Sequence, residues 1–190
     1  MKFDLRYHNG KTLVEVNGKW MSVAKAMILH PSLGLCRKEI AKFSEKAKQL
    51  SQIKLKTYNI NITETRPDMW EGRYDPIEYE AKLYINGKRI GEFVSYGRQP
   101  NEAEIKSLVK NNMSVVKKEL GISESEIDKI NWTHDAYFVN GKQISNEEGK
   151  FIQSYLSYVK FDTNTKRITN PIEPSNFRIS NFNCHGTLVR

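Results

Sequence analysis

Cysteine is scarce. The chain has two in 190 residues, too few for a disulfide scaffold. Long apolar runs are missing as well: none approaches the ~20 residues that cross a bilayer. The opening MKFDLRYHNG has no apolar h-region, so no secretory signal is expected. The motifs that cradle phosphates or carry catalysis are also lacking. There is no Walker loop, no G-x-G-x-x-G, no G-x-S-x-G and no H-E-x-x-H. His30, Cys36, Cys184 and His185 are the available zinc ligands, but no C-x2-C or H-x3-H spacing joins them. The adjacent His134 and Asp135 could form an acid–base pair, but a lone dipeptide is a weak signal and a hydrogen-bonded structural histidine explains it far better. The expectation is a cytoplasmic protein, not embedded in a membrane, with no cofactor.

Positive charge is plentiful. Thirty Lys and Arg face 22 Asp and Glu, a formal charge of +8. That balance favours a nucleic-acid partner, DNA or RNA, or a protein that itself handles nucleic acid. The charge is segregated. Residues 37–56 carry seven cations against Glu39 and Glu45, while acidic residues gather over Glu119–Asp128 and at Glu147 and Glu148.

Asn-Gly-Lys occurs at Asn9, Asn17, Asn86 and Asn140. Asn-Gly between alternating apolar residues predicts a hairpin, because both turn residues must take positive φ. A two-residue turn at Asn86-Gly87 pairs Leu83 with Ile90 and Tyr79 with Val94, and leaves Ala81 facing Glu92 as a misfit. The turns at Asn9 and Asn17 pair Leu5 with Val14 and Val14 with Met21. Helices are predicted from Ser22 to before Pro31, over Cys36–Leu50, from the capping box Asn101/Glu104 to Leu120, and from Ser145 to beyond Leu156, including Val159. A strand over Ile53–Glu64 changes phase near Tyr58, which predicts a bulge there. The fold class is therefore α+β: antiparallel hairpins or a meander packed on three to four helices, with an irregular C-terminal tail. Residues 1–161 are expected to form one domain, with 1–52 as a candidate subdomain, and 162–190 a basic tail. The strand, Asn-Gly-Lys, strand, helix order begins near residues 12, 77 and 132, at spacings too unequal for a solenoid.

Three groups of residues are candidates for binding. Lys38, Lys42 and Lys46 recur every four residues, about 6 Å apart along a helix, a row that can follow a phosphate backbone. Arg66, Trp70 and Arg73 lie in the 65–76 loop, with Tyr96 and Arg98 at the far end of the next hairpin. Arg with aromatics suits base stacking, or a protein hot spot. Lys166, Arg167 and Arg178 form a basic arm. The leading expectation is a small basic binding protein without catalysis, acting on nucleic acid or a nucleic-acid–protein complex. The first alternative is an inhibitor or adaptor of the phage or mobile-element kind that binds a host nuclease or defence protein.

Pro67-Asp68 followed by Glu80-Ala81-Lys82 resembles the PD-(D/E)xK pattern of metal-dependent nucleases. The resemblance spans some 16 residues. It implies Mg²⁺ held by Asp68 and Glu80 and a water activated by Lys82, a second alternative function. Asp68 departs from the pattern by lying in a loop. The strand, turn, strand, helix order over Glu78–Asn111 is similar to part of a double-stranded-RNA-binding domain. Asn101-Glu102-Ala103-Glu104 is acidic where that family is basic, and none of the family's residues is carried over.

Overall fold

A computed structural model describes residues 2–66 and 76–181. The chain divides into two compact units. Residues 1–54 and 147–190 make the first, and 55–146, inserted between them, make the second.

The first unit is built on β1 (Lys2–His8), β2 (Lys11–Val16) and β3 (Lys19–Ser22). Its helices are α1 (Val23–Leu29), α2 (Arg37–Ser51) and α6 (Asn146–Ser157), and it closes with β9 (Val159–Asp162) and β10 (Arg167–Asn170). The strands form one antiparallel sheet in the order β10-β9-β1-β2-β3. Leu5 pairs with Val14 and Val14 with Met21, as the turn chemistry requires. Leu5 and Val14 are fully buried, as are Phe43, Ala47 and Leu50 on the apolar stripe of α2. Each large side chain so buried contributes roughly 1.5–3 kcal/mol relative to exposure.

The second unit contains β4 (Leu55–Thr65), β5 (Glu78–Ile85), β6 (Lys88–Tyr96), α3 (Glu102–Asn111), α4 (Met113–Leu120), α5 (Glu124–Ile127), β7 (Ala136–Val139) and β8 (Lys142–Ile144). Its antiparallel order is β6-β5-β4-β7-β8. Tyr58, Leu83, Ile85, Val116, Leu120, Trp132 and Phe138 form the centre of its core. The Tyr58 hydroxyl donates to Trp132 O at 2.6 Å, and the two rings meet edge to face at 5.2 Å. The buried phenol therefore keeps a partner for its polar end, while burial raises its pKa.

The units share one topology. Each begins with the strand that becomes the sheet centre and adds two strands on one side by hairpin. Each then runs through helices and returns with a hairpin on the other side. All four Asn-Gly pairs turn hairpins, with Asn φ of +48° to +52° and Gly φ of +74° to +82°. The turns at Asn17 and Asn86 hold equivalent places in the two sheets.

Five expectations change. The Asn86 hairpin shifts register between Leu83 and Tyr84, so Leu83 faces Gly91 and Ala81 faces Phe93. Glu92 then faces Lys82 and the misfit disappears; a bulge costs less than a glutamate on the core face. No bulge lies at Tyr58. Strand β4 pairs regularly with β5 from Tyr58 onward and with β7 before it. The phase change is absorbed because all of β7 is buried, so Leu55 meets Val139 on the face opposite Tyr58. The helix expected to run to Leu120 breaks at Asn112, whose side-chain amide takes the Leu108 carbonyl. Val159 belongs to β9, where buried, exposed, buried alternation over Val159–Phe161 matches pairing with β1. The expected tail supplies β10: Asp162 accepts from the Asn164 and Thr165 amides and turns the chain into it. Among the described residues beyond Asn170 only a 3-10 turn at Ile179–Asn181 is regular.

Candidate functional site

The i+4 spacing advances about 400° per step on a helix, so a Lys row drifts by about 40° each time. On α2 the drift carries the row from solvent toward the core. Lys38 and Lys42 are exposed, whereas the Lys46 side chain is 25% exposed. Its ammonium pairs with Glu173 and lies 5.2 Å from the Phe151 ring centre and 5.6 Å from that of Tyr155. Those are cation–π distances. Lys46 thus pins the segment after β10 to α2 and α6. Lys42 reaches Glu39 at 2.8 Å, and this pair with the nearby Arg167 holds the Glu39 carboxyl below its ordinary pKa. Arg37, Lys38 and Lys48 have no carboxylate within ion-pair distance among the described residues.

Glu39, Lys42, Lys46, Tyr155, Arg167 and Glu173 border one groove of about 400 Å³ between α2, α6 and β10. The structure therefore joins the helical row to Arg167 of the expected arm. Burial, then Glu173 and Glu39, raise the Tyr155 pKa, so its phenol stays protonated. Lys166 occupies the β9–β10 turn at φ +54°. Arg178 is folded back on its own backbone, donating to the carbonyls of Ser175 and Phe177. Phe177 is buried and meets Phe151 at 4.9 Å. Sequence reasoning missed Glu173, Phe151 and Tyr155 as neighbours of the row, because no local signal links residue 46 to residue 173.

The other candidates lie in the second unit. Thr65, Glu78 and Tyr96 stand side by side on β4, β5 and β6, so Arg66 and Tyr96 share one end of the sheet. Tyr96 is 63% exposed. Arg66 pairs with Glu64 at 2.7 Å. Arg98 makes two bonds to Glu104, at 2.8 and 2.7 Å, inside the α3 capping box. Its guanidinium therefore completes a helix cap. With the Asn101 amide it draws the Glu104 pKa down to about 2. Asp68, Trp70 and Arg73 lie outside the described residues, as do Cys184 and His185.

Glu80 and Lys82 share the face of β5 opposite Ala81 and Leu83, and pair at 2.6 Å. The pair raises the Lys82 pKa, which keeps the amine charged rather than free to take a proton. His134 Nδ1 meets the Thr133 hydroxyl at 2.8 Å, while Asp135 accepts from the Ile60 amide. Each thus has a structural partner of its own. Among the described residues no three His, Cys, Asp or Glu side chains gather to hold a metal, and no helix is long and apolar enough to cross a membrane.

Charge divides sharply between the units. The first holds 17 Lys and Arg against 8 Asp and Glu, a balance of +9. The second holds 13 against 14, a balance of −1. Fold and charge together define a two-unit α+β protein with one basic unit and one near-neutral unit. No family model, no curated protein and no solved structure matches the chain.

Proposed function

We propose that this chain is a non-catalytic binding protein whose first unit contacts nucleic acid, alone or within a nucleic-acid–protein complex. The observation that carries the reading is the placement of the whole positive surplus in one of two like-folded units. Within that unit Lys42 and Arg167 are exposed on one groove, and Lys38 is exposed one helical turn before Lys42 on α2. The Lys42–Glu39 pair is no obstacle: exposed ion pairs contribute about 0–1 kcal/mol, and a phosphate can replace the carboxylate. Lys46 is held by Glu173 and two rings, so it shapes the groove and the outer cations meet the phosphates.

The test is a titration of labelled single- and double-stranded DNA and RNA over a range of salt. The variant Lys38→Glu/Lys42→Glu/Arg167→Glu is expected to lower the log–log salt slope on duplex DNA by up to about 2.7, at about 0.9 per phosphate contact. Lys110→Glu/Lys118→Glu, in the second unit, leaves the slope unchanged. An unaltered slope in the triple variant, or no binding to any of the four nucleic acids at low salt, overturns the reading. The same samples with Mg²⁺ on a denaturing gel retain intact strands. Shortening that Glu80→Ala abolishes would replace the reading with a nuclease.

A further inference from the structure

Helix α1 has the sequence VAKAMIL, and only Ala26 in it is buried. Ile28 is 78% exposed and Leu29 is 55% exposed. Seven residues are too few for a helix to persist by propensity alone, so this one depends on packing while showing apolar side chains to solvent. Beside it runs a slot of about 450 Å³, lined by Val23, Ala24 and Met27 of α1 and by Ile40 and Ala41 of α2. Ile28 follows Ala24 by four residues and so extends the outer lip of the slot.

The rim of this slot is cationic. Arg37 lines one end. Lys48 lies four residues beyond Ser44, which also lines the slot, and so continues the same face of α2. Both are exposed and neither has a carboxylate within ion-pair distance among the described residues. The one acid on this side of α2 is Glu45, which accepts from Gln49. An apolar floor with a positive rim matches one kind of occupant. From Arg37 to Ser44 the wall is about 10 Å long at 1.5 Å per residue, or two helical turns.

We infer that the α1–α2 slot docks an acidic amphipathic helix of a partner protein. Apolar residues of that helix, spaced i, i+3, i+4, enter the slot, and its carboxylates meet Arg37 and Lys48. The site does not use Lys38, Lys42 or Arg167, so a protein partner and nucleic acid can be held at once.

The probe is a labelled synthetic helix of Leu and Glu only, with Leu at i, i+3, i+4 and i+7, titrated by anisotropy against the full chain. Its control is a scramble of the same composition. Saturable binding of the patterned peptide is expected, with at least about tenfold weaker affinity for Ile28→Ser and for Arg37→Ser. Ile28 is mostly exposed, so Ile28→Ser keeps the fold. The nucleic-acid salt slope of Ile28→Ser stays that of the wild type, which separates failure of this site from failure of the groove. Equal binding of the scramble overturns the inference. So does preferred partition into phosphatidylcholine–phosphatidylglycerol vesicles, which would assign the slot to a lipid surface. A dimer in sedimentation that Ile28→Ser dissolves would assign it to a second copy.

Discussion

The two units place five antiparallel strands in the same order around their first strand, yet one carries +9 and the other −1. Their inner faces obey the same rule: alternating apolar residues on the strands, and apolar stripes on the helices laid over them. Their outer residues differ. In the first unit α2 carries Arg37, Lys38, Lys42 and Lys48 against exposed Glu45 and the paired Glu39. In the second, four cations on or beside the helices are matched nearby: Lys106 with Glu102, Lys117 with Glu124, Lys129 with Glu126, and Arg98 with Glu104. Topology leaves the surface free to vary, and in this chain the charge difference between the units lies in their exposed residues.

The comparison can be broken most forcefully at Phe177, the aromatic anchor by which the C-terminal segment joins the first unit. Phe177→Ala is expected to cost about 3–5 kcal/mol in chemical denaturation. Amide exchange should speed in β9, β10 and α6 and stay slow in β4 and β5. Equal acceleration in both sheets would mean that the units unfold as one.

The hairpin turns offer a finer contrast. A Cβ on Gly141 would lie 2.0 Å from the Gly121 carbonyl oxygen, whereas one on Gly18 would meet nothing within 4 Å. Both glycines have positive φ. Gly18→Ala therefore bears only the conformational cost, about 1–2 kcal/mol. Gly141→Ala adds a backbone clash and should exceed it by about 1–3 kcal/mol in thermal denaturation. Similar losses would show that the Gly121 loop yields freely.

The smallest effect concerns charge pairing in the second unit. Glu104 is held at about 2 against an ordinary 4.5. Its folded pKa is lowered, so its contribution is complete above the unfolded value and is lost as pH falls from about 4.5 to about 2. Glu104→Gln should flatten that part of the acid-stability curve. A curve that keeps its slope would place the loss on another carboxylate.

Much of the fold was legible because it is local. Asn-Gly forces a turn wherever it stands between apolar alternations, and Asn101 with Glu104 closes a cap within three residues. The bulge in the Asn86 hairpin left a trace too: the simple register put Ala81 opposite Glu92 as a misfit, and the observed register is displaced by one there. The candidate site was legible only in part. The Lys38–Lys42–Lys46 row is a matter of spacing, and Arg167 could be seen as basic. That Lys46 turns inward to Glu173 could not.

Composition and short-range pattern determined the α+β class, the turn positions, the helix starts and the surplus of positive charge. Each depends on neighbours within a few residues. Tertiary structure alone decided that β9 pairs with β1, that a second unit is inserted within the first, and that the surplus falls on one of them. Those facts come from contacts between residues more than a hundred positions apart, such as Phe3 and Phe161. Such contacts depend on which apolar faces can be buried together, and no local spacing records that choice.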